Sequence, residues 1–396
     1  MTTSLAFERA AIPLGLTWSS PFCRWQGPLS AVTSLDLAVD VTARALSSRG
    51  VDPLSLAQLV LGWTVPQPGI FYGAPTVAAR LGAPALTGPM ISQACATSVA
   101  CLAAAAAAVE AGLEGPVLVV TADRTSNGPH LVYPQPDAPG AAPLAEDWVL
   151  DNFRRDPWAG ESMVATAEAV AAEAGMTRAE IDEATLLRHE QYRGALADDR
   201  ARQREFMVPA TVPGRPEPLL VDADSGVRET SAEALAALVP LTPGGVVTYG
   251  SQTHPADGAA GAIVTRPDGA GAGQTRLLAA GFARVEPARM PRAPVPAALA
   301  ALAACGLGLG RVDAVTTHNP FTVSDLWFAR ETGWPLERMN ELGSSLVYGH
   351  PRGPTGLRAI VELIATLTAR GGGVGLFTGC AAGDTGGAVV VRVDDR

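Results

Sequence analysis

Apolar residues recur along this chain with two rhythms that alternate. Residues 35–46 carry them at helical spacing, a glycine turn follows, and 58–65 is an almost continuous apolar run of strand length. The plan returns late in the chain as a helix over 296–307, glycines, and an apolar strand over 312–317. It then continues in both places. A small-residue helix over 96–111 leads through a glycine turn to a strand at 117–121, and a helix over 357–370 leads through Gly371-Gly-Gly373 to a strand at 374–378. Apolar strands without polar alternation, each behind a helix, predict a sheet covered on both faces. Two copies of the unit predict a duplicated α/β fold.

Between the copies the texture changes. A proline-rich stretch at 134–143 precedes two helices, over 163–175 and 178–197, and Thr177 followed by Glu180 is a capping box. This reads as an inserted, mainly helical domain. The expected division is 1–122 with about 246–270 as an N-terminal half, 123–245 as the insertion, and 271–396 as a C-terminal half.

Composition narrows the function. With 396 residues, 47% hydrophobic and 17% charged, the chain has material for a large core and is not a disordered one. The net charge of −10 argues against a nucleic-acid or anionic-membrane partner. All 29 cations are arginine, which rules out Schiff-base lysine chemistry and a phosphate-loop lysine. The five cysteines, at 23, 95, 101, 305 and 380, are odd in number and lack metal-ligand spacing, so no metal site is expected. The start of the chain does not read as a signal peptide, and no run has the length and character of a membrane span. A reducing cytoplasm with free thiols is the simplest location.

Candidate chemistry gathers at glycine- and proline-marked element ends. Cys95, in Ser92-Gln-Ala-Cys95-Ala-Thr-Ser98, precedes a helix whose macrodipole favours thiolate, and its small neighbours leave the sulfur open. Cys101 lies inside that helix and reads as a small core residue. His350 sits in Tyr348-Gly-His350-Pro-Arg-Gly353-Pro-Thr-Gly356, costly backbone for a surface histidine. Cys380 leaves a strand into a glycine-rich turn, and His318-Asn-Pro-Phe321 ends another strand ahead of Ser324. His130 and His254, each beside a proline, fit either an acyl pocket or a capped turn. Asp123 through Asn127 fits either a pocket or an ion-paired subunit interface.

These residues resemble the thiolases over nearly the whole chain. Cys95 resembles the family's nucleophile, the block 340–358 matches its Gly-His-Pro region without a gap and puts His350 on the catalytic histidine, and Cys380, Gly383, Gly386 and Ala388 match its closing Cys-x-x-Gly-x-x-Gly-x-Ala. Residues 163–168 and 177–182 resemble the family's loop domain, and 248–260 resembles its pantetheine block. There are departures. His318-Asn-Pro-Phe321 stands where most thiolases have Asn-Glu-Ala-Phe, and a histidine there resembles the sterol-carrier-type thiolases and the ketoacyl synthases. The family's glycine pair is Gly343-Ser344, Asp384 replaces a glycine after the last cysteine, and Ser162 stands at a loop-domain histidine position.

The resemblance implies a five-layered α-β-α-β-α fold with an inserted loop domain. It implies that Cys95 carries an acyl group from a coenzyme A thioester after losing its proton to His350, and that Cys380 is the base in carbon–carbon bond formation or cleavage. His318 and His350 would form one oxyanion hole, and the backbone N–H groups of Cys95 and Ala382 the other. Arg228 and Thr253 are the expected contacts to coenzyme A. No permanently bound cofactor is expected, and acyl-CoA and CoA are the partners, in a homodimer or homotetramer. Two other readings stay open. One is a ketoacyl-synthase-like acyltransferase that delivers to a carrier protein or unusual acceptor. The other is a non-catalytic subunit of an acyltransferase complex.

Overall fold

The computed structural model describes residues 1–138, 140–214, 216–267 and 273–394. The expected boundary between the second part of the N-terminal half and the C-terminal half, near 270, lies outside the described residues.

Two six-stranded mixed sheets face one another across a pair of helices, Thr97–Glu110 and Gly353–Ala369. The first sheet runs Thr17–Ser19, Ala256–Val264, Val117–Arg124, Gln58–Gly62, Met90–Ile91, with Cys23–Arg24 beside its second strand. The second runs Thr2–Ala6, Gln274–Arg284, Thr385–Val393, Gly373–Ala381, Ala314–His318, with Ala11–Pro13 beside its second strand. Helices Ser34–Ser48 and Pro294–Ala304 cover the outer faces, completing the five layers.

The duplication is visible in the pairing. Gln58–Gly62 pairs parallel with Val117–Arg124, and Ala314–His318 pairs parallel with Gly373–Ala381; each second strand then takes an antiparallel neighbour. Strands buried on both faces carry the unbroken apolar runs that parallel pairing needs. Helix Thr97–Glu110 is apolar almost all round, as a helix clamped between two sheets must be. Gly356 lets its partner come close: a Cβ there would sit 3.1 Å from Ser98.

Residues 2–13, expected in the N-terminal half, pair with the C-terminal half's sheet instead. The edge of Gln274–Arg284 is open there, and an unpaired edge favours any strand that can cover it. The insertion holds the two expected helices, Met163–Glu173 and Arg178–Ala195, and the second begins on the Thr177–Glu180 capping box. It also holds two short hairpins, His130–Tyr133 with Leu144–Asp147 and Ala210–Val212 with Leu219–Val221. Among the described residues, no helix is long and apolar enough to cross a membrane.

Candidate active site

The two inner helices start side by side, and each carries its own unit's chemistry to the same point. Cys95 lies in the turn between Met90–Ile91 and Thr97–Glu110. Ala94 takes φ +45°, a left-handed conformation that a non-glycine residue holds only where its surroundings impose it. Thr97 supplies the constraint: its hydroxyl donates to the Ala94 carbonyl at 2.7 Å and accepts from Gln93 N–H at 2.8 Å. The strained turn aims the sulfur at the second helix.

His350 stands just before that helix, with Nε2 3.1 Å from Cys95 Sγ and Nδ1 2.6 Å from Thr355 Oγ1. Gly349, at φ +96°, is required, because a Cβ there would meet His254 Nε2 at 2.7 Å. His318 ends strand Ala314–His318, and its ring stacks on His350 with centroids 4.1 Å apart. His318 Nδ1 lies 2.9 Å from Ser345 Oγ, while Nε2 is buried and, among the described residues, has no hydrogen-bond partner. Cys380, on Gly373–Ala381, is buried among Met163, Met290 and Phe321, with Sγ 4.0 Å from Ser324 Oγ. The backbone N–H groups of Cys95 and Ala382 both face Cys95 Sγ.

Burial dominates the electrostatics. It pushes the Cys95 thiol up, against Arg352 and the two N–H groups, and it pushes the Cys380 thiol up too, with the nearby Cys95 sulfur adding to the effect. It drives His318 down to about 3 and His350 well below the ordinary imidazole range, with His318 and Arg352 contributing to the latter. Both rings are therefore neutral at pH 7, and each has one N–H and one free lone pair. Ligand atoms of Cys95, His318 and His350 all lie within 4.8 Å of one another, a spacing that would also admit a soft metal ion.

A cavity of about 230 Å³ opens onto this group, lined by Cys95, His350, Ala382, Trp148, Phe153, Met163, Met290, Phe321 and, among polar residues, Thr64, Ser92, Asn152 and Arg352. Cys380 and His318 stand behind this lining. Arg352, Asn152 and Trp148 were not singled out by the sequence. Arg352 lies inside the 340–358 histidine block, but nothing in the spacing shows where its side chain turns.

The remaining expected residues fall elsewhere. Arg228 is exposed. Thr253 is buried, its hydroxyl donating to the Ser345 carbonyl. His130 is exposed on a hairpin, and His254 lies behind the histidine loop, where its carbonyl accepts from His350 N–H at 2.9 Å. Asp123 is internal: it accepts from Thr64 N–H and Oγ–H at 2.8 Å and from Val65 and Gly353 N–H at 2.9 Å. Two departures from the family pattern have local causes. Asp384 sits at φ +56° and accepts from the N–H groups of Ala288 and Arg289, while Ser162 caps helix Met163–Glu173.

The thiolase N-terminal domain family matches residues 17–268, and the thiolase C-terminal domain family matches 273–393. The chain belongs to the thiolase family. The acetyl-CoA acetyltransferases of Chromobacterium violaceum and Escherichia coli are each 30% identical to it, over 92% and 93% of this chain and 95% of theirs. The crystal structure of the Bacillus anthracis acetyl-CoA acetyltransferase superposes with a TM-score of 0.91 at 26% identity, covering 98% of this chain and 99% of that one. Human mitochondrial 3-ketoacyl-CoA thiolase in complex with CoA shares the fold, with a TM-score of 0.89 at 24% identity over 99% of this chain and 100% of that one.

Proposed function

We propose that this thiolase is an acyltransferase that takes an acyl group from a coenzyme A thioester onto Cys95 and transfers it in a Claisen condensation, or runs the reverse thiolysis. The observation that carries the reading is the 3.1 Å approach of Cys95 Sγ to His350 Nε2 at the mouth of the cavity. With Nδ1–H donated to Thr355, the His350 Nε2 lone pair is free to take the thiol proton. The sulfur bonds to the thioester carbonyl carbon, the carbon–sulfur bond to CoA breaks, and the proton passes through His350 to the departing sulfur.

The oxyanion formed on the way needs donors. The N–H groups of Cys95 and Ala382 supply one pair. His318 Nε2–H and, after proton transfer, His350 Nε2–H supply the other. Cys380, beside Cys95 and held by burial as a neutral thiol at rest, is the group proposed to take the α-proton of the second thioester, once its own proton has passed to the His350 ring that the first half-reaction left neutral; the histidine pair would be the oxyanion hole for that step.

Coenzyme A recognition by the insertion is a further part of the proposal. Arg228 is solvent-facing, as a phosphate contact requires; Thr253 could act only through its backbone and methyl face, because its hydroxyl is engaged. Assembly into dimers or tetramers is supported by exposed Phe71 and Tyr72 and by the open edge strand Met90–Ile91. Five unpaired cysteines suit a reducing compartment such as the cytoplasm.

One observation favours a second reading. Cys95, His318 and His350 form a compact Cys–His–His group with ligand atoms within 4.8 Å of one another, and Cys380 is not part of it. An acyl transfer to a carrier protein or other acceptor would use that group and dispense with Cys380.

The test is intact mass after incubation with acetyl-CoA. A single acetyl adduct on wild type and none on Cys95→Ser supports the acyl-enzyme. Cys380→Ser then separates the readings: loss of acetoacetyl-CoA formation with the adduct retained supports condensation, and unchanged delivery to another acceptor supports the second. No adduct from any acyl-CoA overturns both.

A further inference from the structure

The cavity beside Cys95 is lined by one arginine that, among the described residues, has no carboxylate to meet. Arg352 lines it, and its one side-chain hydrogen bond, among the described residues, runs from Nη2 to the Val149 carbonyl at 2.8 Å. No carboxylate comes within ion-pair distance of it there. Besides the Cys95 thiol, which is neutral at rest, the acids in its field are Asp123 and Asp147, and both are engaged: Asp123 by four donors from Thr64, Val65 and Gly353, and Asp147 by the N–H groups of Val149 and Leu150. The other nitrogens of the fork are left facing the open space.

The backbone keeps the arginine there at a cost. Arg352 has φ +64° and ψ −101°, outside the conformations ordinary residues favour, at the position just before helix Gly353–Ala369. Burial also weighs against its charge, pulling the guanidinium below its ordinary value. An unpaired guanidinium in a largely apolar pocket is unfavourable in the empty protein, and what it lacks is a planar, bidentate anion.

We propose that Arg352 selects acyl groups ending in a carboxylate, so that the preferred acyl donor is the CoA thioester of a short dicarboxylic acid. This rests on the acyl-enzyme reading above. The thioester carbonyl would sit at Cys95, and the distal carboxylate would take the free arm of the guanidinium. Trp148, Phe153 and Met163 would enclose the methylenes between them. A neutral chain of the same shape would leave the guanidinium unmet, and sites built for a polar partner reject analogues that lack it.

The test compares acylation of Cys95 by succinyl- and glutaryl-CoA with acylation by their neutral isosteres, 4-methylvaleryl- and 5-methylhexanoyl-CoA, following adduct formation by intact mass. Wild type should be acylated about tenfold or more faster by the dicarboxylic member of each pair. In Arg352→Met and Arg352→Gln the ratio should fall to about one or below, with Arg352→Lys between, since an ammonium offers charge without the fork. The wild-type ratio needs no variant, so a misfolded substitution cannot hide the answer. A wild-type preference for the neutral isosteres would overturn the proposal while leaving the acyl-enzyme intact. So would an equal loss of both rates in the variants, which would confine Arg352 to steadying the thiolate. Silence from every thioester, acetyl-CoA included, would overturn the acyl-enzyme reading and this one with it.

Discussion

At His318 the decisive atom is Nε2, a buried ring nitrogen that has no hydrogen-bond partner among the described residues and lies beside the Cys95 thiol. Its role depends on which nitrogen holds the proton. The Ser345 hydroxyl lies 2.9 Å from His318 Nδ1 and also donates to the Asn319 side-chain oxygen at 3.2 Å, so it has one proton for two acceptors. The acyl-transfer reading calls for the tautomer in which that hydroxyl donates to Nδ1 and the ring proton is on Nε2, where an oxyanion donor is needed. Replacing His318 by Ala should slow acylation of Cys95 by about 10²–10³-fold, the usual effect of losing one such donor. Alkylation of Cys95 by iodoacetamide, which builds no oxyanion, should change far less, and an equal loss in both reactions would argue for a collapsed site. Zinc offers a second check. Ions closing on Cys95, His318 and His350 should block acylation and be reversed by a chelator, whereas zinc binding as tight in Cys95→Ser as in wild type would point away from this cluster. At this scale the sequence was most legible where chemistry is tied to a fixed spacing, as at Cys95, His350 and Cys380. It was silent on Ser345, Thr355 and Arg352, whose importance lies in orientation.

The elements follow the same logic. The helices and parallel strands of the duplicated unit were readable because each carries a long apolar pattern with a glycine stop, whereas helices Gly73–Arg80 and Thr322–Thr332 and the short parallel strand Met90–Ile91 were not. Nor were the antiparallel strands. Ala256–Val264 is written largely in alanine and glycine, poor strand formers, because its neighbours leave no room: a Cβ at Gly258 would lie 2.4 Å from the Phe22 ring, and one at Gly261 2.4 Å from Trp18. Packing overrides propensity there. Asp123 shows a different hidden link, because one carboxylate on Val117–Arg124 ties the loop after Gln58–Gly62 to the first residue of Gly353–Ala369. Burial lifts this carboxyl from 3.8 to about 6 despite its four donors. A carboxyl with a raised folded-state value binds its proton more tightly in the folded state. Its stabilising contribution is full below about pH 4 and is lost as pH rises through 6, a change of about 3 kcal/mol from this group. Denaturant midpoints measured from pH 4 to 7 should therefore fall less steeply in Asp123→Asn than in wild type. Parallel slopes would mean that Asp123 stays ionised throughout.

At the scale of the whole molecule, duplication does the organising, because two copies of one unit packed through their inner helices bring Cys95 of one copy and His350 of the other into contact. The insertion is fastened to this centre from behind. Arg358, on the inner helix and fully buried, forks onto Asp224 of the insertion at 2.6 and 2.7 Å, bonds Glu362 at 3.1 Å, and lies 3.7 Å from the centroid of the Tyr348 ring. Asp224 also accepts from Phe22 N–H and the Tyr192 hydroxyl. Tyr348 is two residues ahead of His350, so this cluster is a mechanical support for the histidine loop as well as a joint between domains. None of it shows in the sequence, where Arg358 reads as one polar residue on an amphipathic helix and Asp224 as part of a loop. Removing one partner of a buried pair strands the other charge, which typically costs about 3–5 kcal/mol. Asp224→Ala should lower stability by that amount in chemical denaturation, while Arg204→Ala, which breaks the exposed pair with Asp199, should cost less than about 1 kcal/mol. Asp224→Ala should also slow Cys95 acylation at temperatures where the protein is still folded, because Tyr348 loses its brace. A variant that loses the stability but acylates at the wild-type rate would show that the cluster joins the domains without holding His350 in place.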